Sequence, residues 1–258
     1  MRTVVVIPTY NELENIVPLV ERCVALPFSP DLYFIDDGSP DGTGELLESL
    51  RPTYPRLRVM HRPGKLGLGS AYRQAFRLLL QESYDRYLAM DADLSHRPES
   101  IPDLLRASSD ADLVIGSRYS TGGATKNWPA ARRLLSRTAN QVARGLLGLK
   151  VRDVTAGFRC YRRELLAALD RRGLRSNGFS FQVEMTYYTD LMGFRIREEP
   201  ILFEDRVEAK SKMNQSEITA AMDTISRLLI HRCYRDVVHR SAQSNCDNVG
   251  ARNSEKTE

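Results

Sequence analysis

The chain has 258 residues, 42% of them hydrophobic, and a formal charge of +4. That is enough apolar material for a real core and excludes disorder as the main state, while so small a charge on this length does not imply nucleic acid. The four cysteines, Cys23, Cys160, Cys233 and Cys246, form no CxxC pair and have no histidine partner at metal spacing, so neither zinc nor a disulfide framework is expected and a reducing cytoplasm fits.

The first predicted strand, Thr3 to Pro8, is a β-branched run that begins too early to leave room for a signal peptide. Asn11 and Glu14 open a helix with Ile16, Leu19, Val20, Cys23 and Val24 at helical spacing. The strand and helix unit then repeats. Strands are expected at Leu32 to Asp36, Leu57 to His61, Tyr87 to Met90 and Asp112 to Gly116; helices at Gly42 to Leu50, Leu68 to Leu80 and Ser100 to Ala107. Such alternation predicts an α/β fold with a parallel sheet covered on both faces.

Polar residues gather where strands end: Tyr10-Asn11-Glu12, Asp36-Asp37-Gly38-Ser39 and Asp91-Ala92-Asp93. Ligands collect at the carboxyl ends of parallel strands, so these ends predict a cleft, and two acids one residue apart can hold a hard cation over a bound anion. Asp41-Gly42 reads better as an ordinary turn. The run Gly64-Lys65-Leu66-Gly67-Leu68-Gly69 has neither the order of a P-loop nor the position of a dinucleotide fingerprint, which argues against an ATPase or a dehydrogenase. It is either a helix entry that approaches an anion or a simple tight turn.

Beyond Gly116 the chain becomes irregular and basic. A helix is expected over about 131–147, with Arg133, Arg137 and Arg144 within about 40° of one another and Leu135, Ala139, Val142 and Leu146 opposite. Such a helix either packs its apolar face on the core or lies at an anionic membrane surface. Arg132 breaks the pattern, with Ser136 one turn on, and the two together could grip a phosphate. Asp153 to Tyr161 and Asn177 to Glu184 have the residues of a pocket wall or of a mixed core, Ile201 to Phe203 resembles a strand, and Asn214 with Glu217 opens a last helix bearing Ile218, Ala221, Met222, Ile225 and Leu229. The boundaries are a catalytic unit at 1–213, an amphipathic helix at 214–238 and a disordered tail at 239–258. No apolar run approaches the roughly 18 residues of a membrane span.

Taken together, IPTYNE, DDGSPDGT, MDADLSHRPE, GSRYSTGG, NWPAARRLLSRTAN, VTAGFRCYRRE, FSFQVE and DRVEAKSKM make the chain resemble the family 2 glycosyltransferases of GT-A fold, from Val4 to about Met213. Within that family it is most similar to the dolichol- or polyprenol-phosphate mannose synthases. The resemblance implies a Rossmann-like GT-A fold with a mostly parallel sheet and added amphipathic interface helices. It implies a nucleotide-sugar site at Pro8, Tyr10, Glu12, Ile35, Asp37, Asp91, Ala92 and Asp93, closed by Arg206 and Lys212. Mg²⁺ or Mn²⁺ would bind Asp91, Asp93 and the position of Ser95; Arg118, Arg132 and Ser136 would take the acceptor phosphate, with Asp91, Asp93 and Arg118 as the catalytic set.

The implied reaction is inverting transfer of mannose from GDP-mannose to polyprenyl phosphate. It would occur at the cytoplasmic face of the membrane, with a membrane-anchoring partner protein as a further implied contact. Rivals are a UDP-glucose or other UDP-sugar polyprenyl-phosphate transferase, many of which carry C-terminal spans; a non-catalytic sugar-nucleotide-binding module; and a nucleotidyltransferase, which would leave the acceptor-side arginines unexplained.

Overall fold

The computed structural model describes residues 1–178, 180–204 and 219–235. Arg206, Lys212, the helix entry at Asn214 and the tail 239–258 lie outside the described residues. The first half follows the expected alternation closely. Strands β1 (Thr3–Thr9), β2 (Asp31–Asp36), β3 (Leu57–His61), β4 (Arg86–Ala89) and β5 (Leu113–Ser117) alternate with α1 (Leu13–Val24), α2 (Thr43–Leu50), α3 (Leu68–Leu79) and α4 (Ile101–Ala107). The continuous apolar runs of β1 and β5 are buried because helices cover both faces of the sheet. Ile16, Leu19, Val20 and Cys23 are the buried face of α1, as their spacing requires.

The second half departs from simple alternation. It adds β6 (Ala124–Lys126), α5 (Ala130–Leu147), β7 (Arg159–Arg162), α6 (Arg163–Arg172), α7 (Ser180–Leu191), β8 (Ile196–Pro200), β9 (Leu202–Glu204) and a helix at 219–235, here α8. The main sheet has seven strands in the order β3-β2-β1-β4-β7-β5-β8. β7 is antiparallel to both β4 and β5, so the sheet is mostly and not wholly parallel. The cause is chain routing: after β5 the polypeptide stays at the carboxyl edge through α5, and re-enters the sheet from that edge. A second, two-stranded parallel sheet joins β6 to β9.

The segment expected as a pocket wall from Asp153 to Tyr161 therefore supplies a central strand, and most of the one from Asn177 to Glu184 supplies the start of α7. α7 shows no helical period in its sequence because it is buried nearly all round. Its hydroxyls turn back on their own helix, Thr186 Oγ1 donating to the Gln182 carbonyl at 2.8 Å. One core packs β1, β4 and β5 against α3, α6 and α7, reaching Leu228 of α8; the other packs the sheet against α1 and α4.

α5 does not pack its leucine side on the core, which was one of the two orientations expected. The core-facing residues are Asn140, Ala143 and Leu147, while Leu134, Leu135 and Val142 are 67%, 60% and 50% exposed. Asn140 explains this. Its Nδ2 donates to Thr155 Oγ1 at 3.0 Å and its Oδ1 accepts the Val154 N–H at 2.9 Å, so a polar anchor seats the Asn140 side of the helix while Arg133 and Arg137 stay exposed. α8 behaves similarly: it docks through Thr224 and Leu228, while Met222, expected on the apolar side, is exposed together with Ile230 and Tyr234. Arg232 Nη1 donates to the Leu146 carbonyl at 2.8 Å, joining α8 to the end of α5.

Candidate active site

The loops after β1, β2, β4 and β5 meet at the carboxyl edge of the sheet. The three non-glycine residues with positive φ among the described residues, Asn11, Leu94 and Asn127, all lie in the loops that build this edge. Asparagine tolerates that conformation; Leu94, at φ 61°, stores about 1 kcal/mol or more of strain directly after Asp93. Strain of this kind gathers where backbone geometry serves a site.

On the side of β1 and β2, the Asp37 N–H donates to the Thr9 carbonyl at 3.1 Å and ties the two strand ends together. The Asp37 carboxylate accepts Arg62 Nη1 at 2.6 Å and the Leu66 N–H at 3.2 Å. Burial lifts the Asp37 carboxyl above its ordinary value, with Arg62 and the Leu66 N–H opposing the rise. The glycine-rich run thus serves as a turn that delivers Leu66 to Asp37 and sets the Lys65 ammonium 4.6 Å from the Tyr10 ring centre. Glu12 is buried and accepts Asn15 Nδ2 at 2.8 Å, and Pro8 and Tyr10 are half-buried. Ile35 is wholly buried; its carbonyl accepts the Thr9 hydroxyl at 3.0 Å. Of the described residues expected around the nucleotide it is the one with no exposed surface. Asp41, read as a turn residue, accepts the Thr43 N–H at 3.0 Å and the Leu13 N–H at 3.2 Å and joins two helix starts.

After β4 the loop Asp91-Ala92-Asp93 leaves the sheet. The Asp91 N–H donates to His96 Nδ1 at 3.1 Å, so a buried histidine holds the loop by its backbone. Asp93 Oδ1 accepts both the N–H and the hydroxyl of Ser95, at 3.1 and 2.5 Å. Ser95 was expected as a metal oxygen. It is 2% exposed and its hydroxyl proton goes to Asp93, so it orients that carboxylate. Ala92 is buried and contributes backbone. The Glu204 N–H at the end of β9 donates to the Ser95 carbonyl at 3.3 Å, and Lys126 Nζ on β6 pairs with Glu204 at 2.9 Å, so the small sheet is tied to this loop.

Beyond β5, Arg118 is held by Asp153, which is fully buried. Its Nε and Nη2 reach the two carboxylate oxygens at 2.8 and 2.7 Å, and Nη2 also reaches Thr155 Oγ1 at 2.9 Å. Burial opposes the charge, yet the Asp153 carboxylate holds the guanidinium above its ordinary value, and Asp91 is near enough to add to that field. Tyr119, Trp128 and Phe203 surround the guanidinium at 5.3, 5.4 and 5.6 Å from their ring centres. Arg132 lies 4.5 Å from the centre of the Trp128 ring, and Ser136 Oγ accepts the Tyr119 hydroxyl at 2.7 Å. Gly123 is needed here, because a Cβ would collide with the Ser117 carbonyl and the backbone of Arg118.

Asp91, Asp93, Arg118, Arg132 and Ser136 thus all belong to this one edge. Sequence reasoning missed Asp153, Arg62, His96 and the aromatic group. His96 could have been found from its place in the strand-end loop; Asp153 and Arg62 had no local signal, since their partners are distant in the chain. Arg137 is exposed as expected, and its guanidinium lies 5.7 Å from the centre of the Tyr119 ring.

The sequence profile described as Glycosyl transferase family 2 matches residues 4–170. The polyprenol monophosphomannose synthase of Mycolicibacterium smegmatis is 46% identical over 223 residues, covering 86% of this chain and 84% of the relative. The undecaprenyl-phosphate mannosyltransferase of Micrococcus luteus is 42% identical over 227 residues, covering 88% and 93%. Among solved structures, glucosyl-3-phosphoglycerate synthase from Mycobacterium tuberculosis with Mn²⁺, UDP-glucose and phosphoglyceric acid aligns with a TM-score of 0.60 at 21% identity, over 90% of this chain and 79% of that one. That likeness speaks to the fold alone. With the profile running from β1 into α6 and two relatives aligned over most of their length, the chain belongs to glycosyl transferase family 2 and carries its GT-A fold.

Proposed function

We propose that this glycosyltransferase moves mannose from GDP-mannose to a polyprenyl phosphate with inversion, giving β-mannosyl phosphoryl polyprenol and GDP. The observation that carries the reading is the pairing of a carboxylate strand end, Asp91 and Asp93, with an arginine group close enough for Asp91 to act on Arg118. Names of the relatives at 46% and 42% identity support a mannosyl donor and a polyprenyl phosphate acceptor.

The donor residues fit a divalent cation such as Mg²⁺ or Mn²⁺. Asp91 is about one third exposed, and both groups are hard oxygen donors. Among the described residues no cluster of three or more candidate ligands occurs. Such ions need only one or two protein carboxylates when substrate phosphates and waters complete the shell. When bound, the cation would supply charge stabilisation to the departing diphosphate. Asp37 would accept N–H groups of the base, and Tyr10, with Glu12 and Pro8, would line the nucleoside pocket. Arg206 and Lys212 would close on the diphosphate.

On the acceptor side, Arg118, Arg132 and Ser136 would hold a phosphomonoester, whose second pKa of roughly 6 makes it an oxyanion at neutral pH. No protein base is needed. This agrees with the described histidines: His96 is buried against Asp91, His61 contacts Glu48 and His231 contacts Tyr187. In-line attack by the phosphate oxygen on the anomeric carbon then breaks its bond to GDP with inversion.

The outward apolar side chains of α5 and α8 support contact with a lipid surface, which the proposed reaction would place at the cytoplasmic face. No helix among the described residues is long and apolar enough to cross a membrane. Incubation with radiolabelled GDP-mannose or UDP-glucose, Mg²⁺ and polyprenyl phosphate tests the reading. Mannose label is expected in the organic phase; glucose label there instead would replace it with the UDP-sugar reading. Flotation with anionic vesicles tests the surface, and retention only in the presence of a membrane-anchoring partner protein would move the contact to that partner.

A further inference from the structure

We propose that Trp128 is a positioning residue of the acceptor-anion site, its indole holding the guanidinium groups of Arg118 and Arg132 together so that both meet one phosphate. The inference rests on the acceptor side of the reading above and adds the group that assembles it.

Two cations brought together repel, and an aromatic face that meets both offsets part of that cost. The Arg132 guanidinium lies 4.5 Å and the Arg118 guanidinium 5.4 Å from the centre of the Trp128 ring. Tryptophan is the best aromatic partner for such ions. Asp153 fixes Arg118, and the indole faces both arginines.

The indole is also placed against its own preference. Trp128 is 7% exposed, and its Nε1–H is buried without a hydrogen-bond partner. A buried tryptophan ordinarily finds an acceptor for this proton. Forgoing it is a stability loss of the kind retained where function fixes a side chain. Local backbone enforces the position, with Asn127 at a φ of 63° before the ring and Pro129 leading directly into α5.

Trp128 further links the two halves of the site. Its ring meets Phe203 edge-on at 5.4 Å, Phe203 meets His96 at 5.4 Å, and His96 accepts the Asp91 N–H. A shift of the indole would therefore move the arginines relative to the Asp91 loop.

Trp128 is the chain's single tryptophan, so its emission reports on this place alone. Titration of the native protein with a short-chain polyprenyl phosphate is expected to change that emission. The matching prenol should not change it, and Arg132→Ala should lose the response. In steady-state assays Trp128→Phe should raise the acceptor KM about threefold and Trp128→Leu about tenfold, with the GDP-mannose KM within about twofold of native. Trp128→Phe should melt no lower than native, because it removes the unpaired N–H. If Trp128→Leu does not fold, the Phe variant and the native emission carry the test. Unchanged acceptor KM in a folded variant, or native emission indifferent to polyprenyl phosphate, overturns the assignment. Should the native protein transfer no mannose while its emission still follows polyprenyl phosphate through Arg132, the mannosyl reading fails and the Trp128 assignment stands.

Discussion

The proposed donor and acceptor halves of the cleft are built by different means. On the donor half, Asp37, Asp91 and Asp93 sit at the ends of strands β2 and β4, whose register in the sheet fixes their spacing. On the acceptor half no strand carries Arg132 or Ser136. They ride on α5, which is held by Asn140 to Thr155 and Val154, while Arg118 is held by Asp153. A sheet positions its strand ends through backbone hydrogen bonds that tolerate many side chains. The acceptor half depends on particular polar side chains from distant segments, so single substitutions there should change geometry as well as contact.

The largest expected effect lies on the donor half. Asp93→Ala should lower transfer by about a thousandfold, in line with losing a transition-state charge stabiliser, and nucleotide binding should stop responding to Mg²⁺ in calorimetry. Undiminished metal dependence would remove Asp93 from the site. Next, Arg132→Ala should cost about a hundredfold in transfer with GDP affinity within about twofold of native; parallel loss of both would erase the division between the halves.

Asp153→Asn tests how the acceptor half is held. It leaves a buried guanidinium without its counter-charge, so stability should fall by about 3 kcal/mol in urea unfolding, and the acceptor KM should rise. Adding Arg118→Met should restore part of the stability without restoring transfer.

Smaller effects are expected away from the cleft. Glu184 is buried, accepts the N–H groups of Arg175 and Ser176, and pairs with Arg227 of α8 at 2.8 Å. Glu184→Gln should cost about 1–3 kcal/mol and speed hydrogen exchange across 219–235, leaving GDP affinity intact. The smallest effect concerns pH. Burial first, then Arg172 and Arg235, holds His231 below its ordinary value, and its ring nitrogens contact Tyr187 and Arg172 at 3.0 and 2.9 Å. A depressed histidine contributes stability above its unfolded value of about 6.5 and loses it as pH falls. Melting temperature should therefore decline from about pH 7 to pH 5, and less steeply in His231→Gln.

Much of the donor half was legible in the chain itself. The β-branched run of Thr3 to Pro8, the helical spacing from Ile16 to Cys23 and the paired acids after Tyr87 to Met90 are local patterns, and each gives its element within a residue or two. The acceptor half was legible as residue types through family resemblance, but not in its arrangement. Leu135, Ala139, Val142 and Leu146 gave a correct helix and a wrong inward face, because periodicity ranks side chains by polarity and cannot see that Asn140 has partners waiting at Val154 and Thr155. β7 and α7 were hidden for a related reason: a central strand with arginine at both ends and a helix buried all round lack the sidedness on which pattern reading relies.

Sequence alone thus determined the alternation of elements, the strand-end acids and the family, since these follow from neighbours within a turn or a strand. Tertiary structure decided that β7 runs backward between β4 and β5, that Ser95 supports Asp93, that Asp153 holds Arg118, and that α5 shows its leucines to the outside. Each of these depends on contacts between segments far apart in the chain. Their energies arise from burial and partner geometry, which exist only once the chain has folded.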